Sequence, residues 1–111
     1  MVHNDICPDH LIVDPHSGRL TGIIDFSDTT VADPVLDMVG LIGLGGYEFI
    51  AEVLSSYDLE LGEDFADRLI WLARTLTLAW LAEAAIHDRP GIPKHVGWVT
   101  AALADPPSSL A

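Results

Sequence analysis

His3-Asn4-Asp5-Ile6-Cys7-Pro8-Asp9-His10-Leu11-Ile12-Val13-Asp14 is followed by Leu20-Thr21-Gly22-Ile23-Ile24-Asp25-Phe26-Ser27-Asp28, and then by Asp33-Pro34-Val35-Leu36-Asp37. Two short apolar runs, Leu11 to Val13 and Leu20 to Ile24, flank the turn cluster Asp14-Pro15-His16-Ser17-Gly18-Arg19, with Pro early and Gly late. This pattern predicts a β-hairpin. The hairpin opens from a loop that carries His3 and Asp5 and closes on Asp25. Asp5 and Asp25 are therefore expected together at one end of a two-stranded ribbon. Asp33-Pro34 reads as a helix start, with Asp as N-cap and Pro at the first helical position.

Working outward, residues 38–104 read as helices and residues 105–111 as a frayed tail. The helix that starts at Pro34 is expected to reach about Leu44, where Gly45-Gly46 stops it. A second covers about Tyr47 to Tyr57, with Phe49, Ile50, Val53 and Leu54 at helical spacing. A third runs from about Glu63 to His87; it is apolar on most faces and is expected to be the buried centre. Pro93 to Ala104 forms a last short helix. The stretch Leu69 to Ile86 is nearly long enough to cross a membrane. It carries Arg74 and Glu83 and has acidic flanks, so a buried core helix is the expected reading. Met38, Phe49, Trp71, Trp80 and Trp98 are expected in the core.

The 111 residues allow one domain, expected to divide into a catalytic loop and metal hairpin (1–37), a helical part (38–104) and a tail. Five Lys and Arg against 17 Asp and Glu give a net charge of −12, which argues against nucleic acid or an anionic membrane as partner. Cys7 is the single cysteine, which excludes an intrachain disulfide and fits a reducing, cytoplasmic setting. No signal peptide is apparent after Met1. Cys7 has no basic neighbour to activate it.

His3, Asp5, Asp9, His10, Asp14, His16, Asp25, Asp28, Asp33 and Asp37 put ten ionisable side chains in 37 positions, more than a solvated loop requires. Two carboxylates at one end of a ribbon can divide the work of phosphoryl transfer. One orients a hydroxyl and accepts its proton; the other holds magnesium on the nucleotide phosphates. Several of the others have plainer readings. Asp33 is a helix cap, His16 a solvent-exposed turn residue, and Asp28 either a second-sphere carboxylate or a capping residue.

The three linked motifs resemble the catalytic segment of the aminoglycoside phosphotransferase and choline-kinase-like family. The usual pattern there is His-Gly-Asp-x-x-x-x-Asn, then Ile-Asp-(Phe/Trp)-x-Asp and Asp-Pro-x-x-Asp. His3-Asn4-Asp5 and Ile23-Ile24-Asp25-Phe26-Ser27-Asp28 look most like the 2″-aminoglycoside branch. The motifs cover residues 2–38. The resemblance implies that Asp5 is the catalytic carboxylate, Asp25 the main magnesium ligand, and His3 a structural member of the loop. It also implies that Asp37 accepts the backbone N–H bonds that fix the loop. His10 stands where the family usually has a magnesium-binding Asn. Imidazole is a poor magnesium ligand, so His10 is expected to bind cofactor by donating to a phosphate or to Asp5. The implied fold is α+β, the lower part of a protein-kinase-like C-lobe: a short hairpin with its catalytic loop packed on three to four helices. The implied activity is ATP- or GTP-dependent transfer to a hydroxyl of an aminoglycoside or a similar small molecule.

The nucleotide-binding parts have no counterpart in these residues. Lys94 is the sole Lys, and Gly43, Gly45 and Gly46 follow an apolar helix with no strand before them. In the resembled family an N-terminal lobe supplies these parts ahead of the His-x-Asp motif. A C-terminal-lobe fragment is therefore expected, truncated or split from its donor lobe, without appreciable kinase activity alone. Apolar surface uncovered by a missing lobe favours self-association, or docking of a complementing lobe. Glu48, Glu52, Asp58, Glu60 and Glu63 could attract a polycation, or form a solvated face. Two other classes remain open. One is a metal-dependent hydrolase or metal-binding protein built on His3, Asp5, His10, Asp25 and Asp28, a donor set suited to zinc, manganese or iron. The other is a non-enzymatic helical interaction module.

Overall fold

The computed structural model describes residues 1–58 and 60–110. Strand β1 (Leu11–Val13) pairs antiparallel with β2 (Leu20–Ile23), and four helices follow among the described residues: α1 (Val35–Gly40), α2 (Ile42–Ser55), α3 (Phe65–His87) and α4 (Ile92–Leu103). The architecture is thus mixed, one small two-stranded sheet beside a helical body.

The hairpin turn forms for the reason its sequence suggests. The Asp14 carboxylate accepts the His16 N–H at 2.8 Å and the Ser17 N–H at 3.4 Å. Gly18, at φ +72°, closes the turn by donating to the Asp14 carbonyl. In register, Leu11 faces Ile23 and Ile12 faces Gly22. The register then shifts, so that Val13 faces Leu20 and Thr21 bulges out. A further bridge between Val2 and Thr30 ties the start of the chain to the loop beyond Asp25. The hairpin lies beside the helices, as the expected α+β arrangement has it, but its outer side chains are not enclosed. Ile12, Val13 and Leu20 are about half exposed, and a groove of about 510 Å³ separates the hairpin from α1 and α2.

The expected single helix from Pro34 to Leu44 is broken at Leu41, where ψ flattens to −6° and α2 begins. Gly45 and Gly46 then interrupt α2 itself. Gly46 adopts φ +67°, a conformation that L side chains rarely adopt, and the chain turns there before the helix resumes at Tyr47. That turn lets Tyr47 reach across the body, where its hydroxyl donates to the Ala102 carbonyl at 2.7 Å. Arg74 Nε donates to the same carbonyl at 3.0 Å. The charge inside the apolar third helix therefore serves the end of α4, whose last carbonyls lack helical partners.

α3 is long and apolar enough to cross a membrane by length and composition alone. In the fold it packs along α4 and against α1. It is not buried on most faces as expected. Phe65, Leu69, Ala73 and Thr77 recur every four residues and are buried, with Ala84 further along the helix. Trp71, Leu78 and Ile86 face outward, with Ile86 at 74% exposure. Trp71, expected in the core, is corrected to a surface residue; Met38 is buried, Trp80 and Trp98 are half-buried at the edge of the core, and Phe49 is half-buried along the groove beside the hairpin. The tail is corrected too. Ser108–Leu110 form a 3-10 turn, and Leu110 is buried in the core beside residues of α1 and α2. Ala111, the last residue of the expected tail, lies outside the described residues.

Candidate functional site

The loop from His3 to Cys7 rides on α1. Asp37, in the first turn of that helix, accepts two backbone N–H groups, from His3 at 3.0 Å and from Asn4 at 2.8 Å. One turn further on, Gly40 allows the loop to lie flat against the helix. A Cβ there would stand 2.0 Å from the Ile6 carbonyl oxygen, so any larger residue would push the loop away. Asn4 takes φ +66°, which Asn tolerates better than most residues, and its side-chain amide donates to the Asp28 carbonyl.

His3 is buried and is fixed on both sides of its ring. The Asp5 N–H donates to His3 Nδ1 at 3.1 Å, so the ring proton lies on Nε2 and is donated to the Ile24 carbonyl at 2.8 Å. This one side chain couples the loop before β1 to the end of β2. Phe26 meets its ring edge-on, with centroids 4.5 Å apart.

The consequence is the convergence of three side chains. Asp5, His10 and Asp25 each place a potential metal-ligand atom within 4.8 Å of the other two. Asp25 reaches this position in an uncommon backbone conformation, φ +62°, with its carboxylate held by the Ser27 hydroxyl at 2.8 Å. That hydrogen bond, and then the nearby His10, hold the Asp25 carboxyl below the usual carboxylate range. His10 ends the 3-10 turn Pro8–His10. Its Nδ1 lies 2.7 Å from the Asp5 carbonyl oxygen, and its Nε2 lies 3.3 Å from an Asp25 carboxylate oxygen. The Asp5 carbonyl, and then the Asp5 and Asp25 charges, raise the His10 pKa above its ordinary value. Asp5 and Asp25 are each nearly half exposed, so the cluster opens to solvent.

The remaining ionisable groups of the segment are sorted to other tasks. Asp33 caps α1 through the Val35 N–H at 3.1 Å and is clamped by Arg68 of α3 at 3.0 Å. Asp14 builds the hairpin turn, and His16 is exposed. Asp28 meets the loop through its main-chain carbonyl, and its carboxylate is not among the three convergent groups. Cys7 Sγ lies 3.4 Å from His10 Nδ1, and burial pushes its thiol pKa up, which leaves the thiol protonated and a weak nucleophile.

A profile of the phosphotransferase enzyme family (APH) matches residues 1–71, more than half of the chain. This chain belongs to that family. The chain is also similar to the uncharacterized protein YcbJ of Bacillus subtilis (strain 168), 36% identical over 58 residues. That match covers 52% of this chain and 19% of the relative, so the chain spans about a fifth of that protein's length. No solved structure matches it. Members of the family generally use ATP and Mg²⁺. Two carboxylates and an open rim suit a divalent cation of that kind, which is usually held by one or two carboxylates and keeps several waters. In family terms, Asn4 occupies the usual Gly position, and its positive φ explains why those two residue types serve there.

Three contributions to the site were not visible in the sequence. Gly40 reads as a mid-helix residue until the Ile6 carbonyl is placed above it; its spacing of three from Asp37 was the available signal. Lys94, distant in sequence, reaches Asp9 at 3.6 Å on the rim of the motif-bearing loop. A cleft of about 320 Å³ opens beside Asp5, lined by Cys7, Trp80, Glu83, His87, Asp88, His95 and Trp98 among others. Apart from the loop from Asp5 to Cys7, Gly40 and Ile42, its lining comes from α3, α4 and the link between them, which the sequence marks as core or solvated faces.

Proposed function

We propose that this chain carries the metal-binding and acceptor-binding part of a small-molecule phosphotransferase, equivalent to the lower part of a kinase-like C-lobe. One observation supports the reading above others: Asp5, His10 and Asp25 converge on a loop fixed by Asp37, in a chain of the phosphotransferase family. Asp5 accepts the proton of the attacking hydroxyl. Asp25 holds the divalent ion, which when bound neutralises charge on the transferring phosphate. His3 and Asp37 hold the loop, and Asp28 supports it through its carbonyl.

The acceptor occupies the cleft beside Asp5. Trp80 and Trp98 offer apolar faces, and Glu83 and Asp88 offer negative charge, which suits a small hydroxylated amine, an aminoglycoside phosphorylated at its 2″-hydroxyl included. The donor, ATP or GTP, needs a Lys on its phosphates and a Gly-rich cover. Among these 111 residues the sole Lys is engaged at Asp9, so a further, complementing segment supplies the donor side. Exposed Trp71, Leu78 and Ile86 on α3 favour self-association when the chain is alone. The single Cys and acidic surface fit a cytoplasmic protein without nucleic-acid or membrane partners.

The test is phosphoryl transfer from ATP or GTP to a panel of aminoglycosides and smaller amino alcohols. The 111-residue chain alone is expected to stay far below the ~1–100 per second of kinases. Joined to a nucleotide-binding lobe it is expected to turn over, and D5N is expected to abolish that activity. Undiminished transfer by D5N would refute the assignment.

A further inference from the structure

α3 turns one face to the core, marked by Phe65, Leu69, Ala73 and Thr77. On the opposite side Trp71, Thr75, Leu78, Ala82 and Ala85 are all exposed. Their spacing alternates between steps of four and three residues, which is the seam of a two-stranded coiled coil. Trp71 and Leu78 are 66% and 50% exposed, and Ile86 beside the seam is 74% exposed. A surface helix ordinarily turns charged residues away from its core. Here the outer face carries no charge from Trp71 to Ile86, in a chain of net charge −12. Arg74 is turned to the end of α4, and Glu83 lines the cleft.

The seam is complementary to itself when two copies run antiparallel. With Trp71 facing the second copy's Ala82, Leu78 faces its Thr75, so each large side chain meets a small one. In the same register the second copy's Ile86 and Arg89 reach the first turn of α3. A hollow of about 450 Å³ lies there, lined by Asp64, Asp67, Arg68, Trp71 and Leu72. It offers apolar walls to Ile86 and carboxylates to Arg89, which makes no ion pair of its own among the described residues. A parallel pair would set Trp71 on Trp71 and Asp67 on Asp67. Sliding the antiparallel pair until Leu78 faces Ala82 would set Thr75 on Ala85, two small residues with a gap between them.

We propose that the outer face of α3 is the interface of a homodimer, two copies packed antiparallel about a two-fold axis level with Leu76 and Thr77. The seam runs about 24 Å, which makes a small interface and a weak dimer, dissociating at about micromolar concentrations. The inference gives a seam and a direction to the self-association proposed above. It is independent of phosphoryl transfer, which the D5N experiment tests without touching this face.

The test is sedimentation of the 111-residue chain across a concentration series, with and without phosphatidylcholine vesicles. A monomer–dimer equilibrium is expected, and L78E is expected to weaken it at least about tenfold, since the charge falls on the seam in both copies. Direction is read by disulfide trapping in a C7S background under oxidised glutathione. T75C mixed with L78C is expected to give a covalent dimer. A82C alone is expected to give none, because its two copies stand about 16 Å apart along the seam. A monomer throughout the series, a dimer undiminished in a folded L78E, a covalent dimer of A82C alone, or co-sedimentation with the vesicles that L78E abolishes would overturn the proposal. The trapping pattern decides the question even if L78E fails to fold.

Discussion

The first 34 residues and the helical body are held together by different forces. Before Val35, only Val2 and His3 are buried among the described residues, and the order there comes from directional bonds: Asp37 to two amides, His3 between Asp5 and Ile24, and Arg68 to Asp33. The helices instead bury Val35, Val39, Ile42, Ile50 and Leu69 almost completely. A site kept half-exposed for ions and substrate cannot be fixed by burial, so polar contacts fix it. Geometry at the site and stability of the fold should therefore separate on mutation.

Leu69→Ala should have the largest effect on stability. The side chain is fully buried, and its loss should cost about 2–5 kcal/mol by chemical denaturation. A loss below about 1 kcal/mol would mean that the helical body is not the stabilising half. Gly40→Ala sits at the border of the two regions. The added methyl collides with the Ile6 carbonyl, and overpacking of this kind costs about 1–3 kcal/mol. Metal binding should fall at the same time, since the displaced loop carries Asp5. Normal metal affinity in a folded Gly40→Ala would break the link drawn between α1 and the site.

Asp37→Ala sharpens the comparison further. It removes the acceptor for two loop amides and should cost about 1–3 kcal/mol. Hydrogen exchange at His3 and Asn4 should accelerate, while far-ultraviolet circular dichroism of the helices stays unchanged. The smallest effect concerns the hairpin turn. Bonds from the His16 and Ser17 amides hold the Asp14 carboxyl below its ordinary value of 3.8. Asp14 therefore binds a proton more readily when the turn is open. Its contribution is full above pH 3.8 and is lost as pH falls through the lower folded value. Amide shifts of His16 and Ser17 should follow that lower titration, and Asp14→Asn should remove the dependence.

Much of the hairpin and the site was legible because its signals are local. Pro15 and Gly18 mark a turn, Asp33-Pro34 marks a helix start, and short apolar runs between them make strands. The meeting of Asp5 with Asp25 followed from a two-stranded ribbon that returns the chain to its origin. The helical half is less legible, because apolar character along a helix does not say which face the tertiary packing covers. Trp71 and Leu110 show this in both directions: a large aromatic residue in an apolar helix lies at the surface, and a residue in a Pro-rich tail lies in the core. The break at Leu41 left no local signal, since its backbone is still close to helical.

Sequence by itself determined the elements and the chemistry: a hairpin, its linked carboxylates, and helices of about the right length. Local preferences and motif spacing act within a few residues, so they are written in the chain order. Tertiary structure alone decided which face of α3 is covered, that Gly40 must lack a side chain, and that the nitrogen of His10 looks at Asp25. Those outcomes depend on contacts between groups far apart in the chain, where close packing and the pairing of each donor with an acceptor admit only certain arrangements.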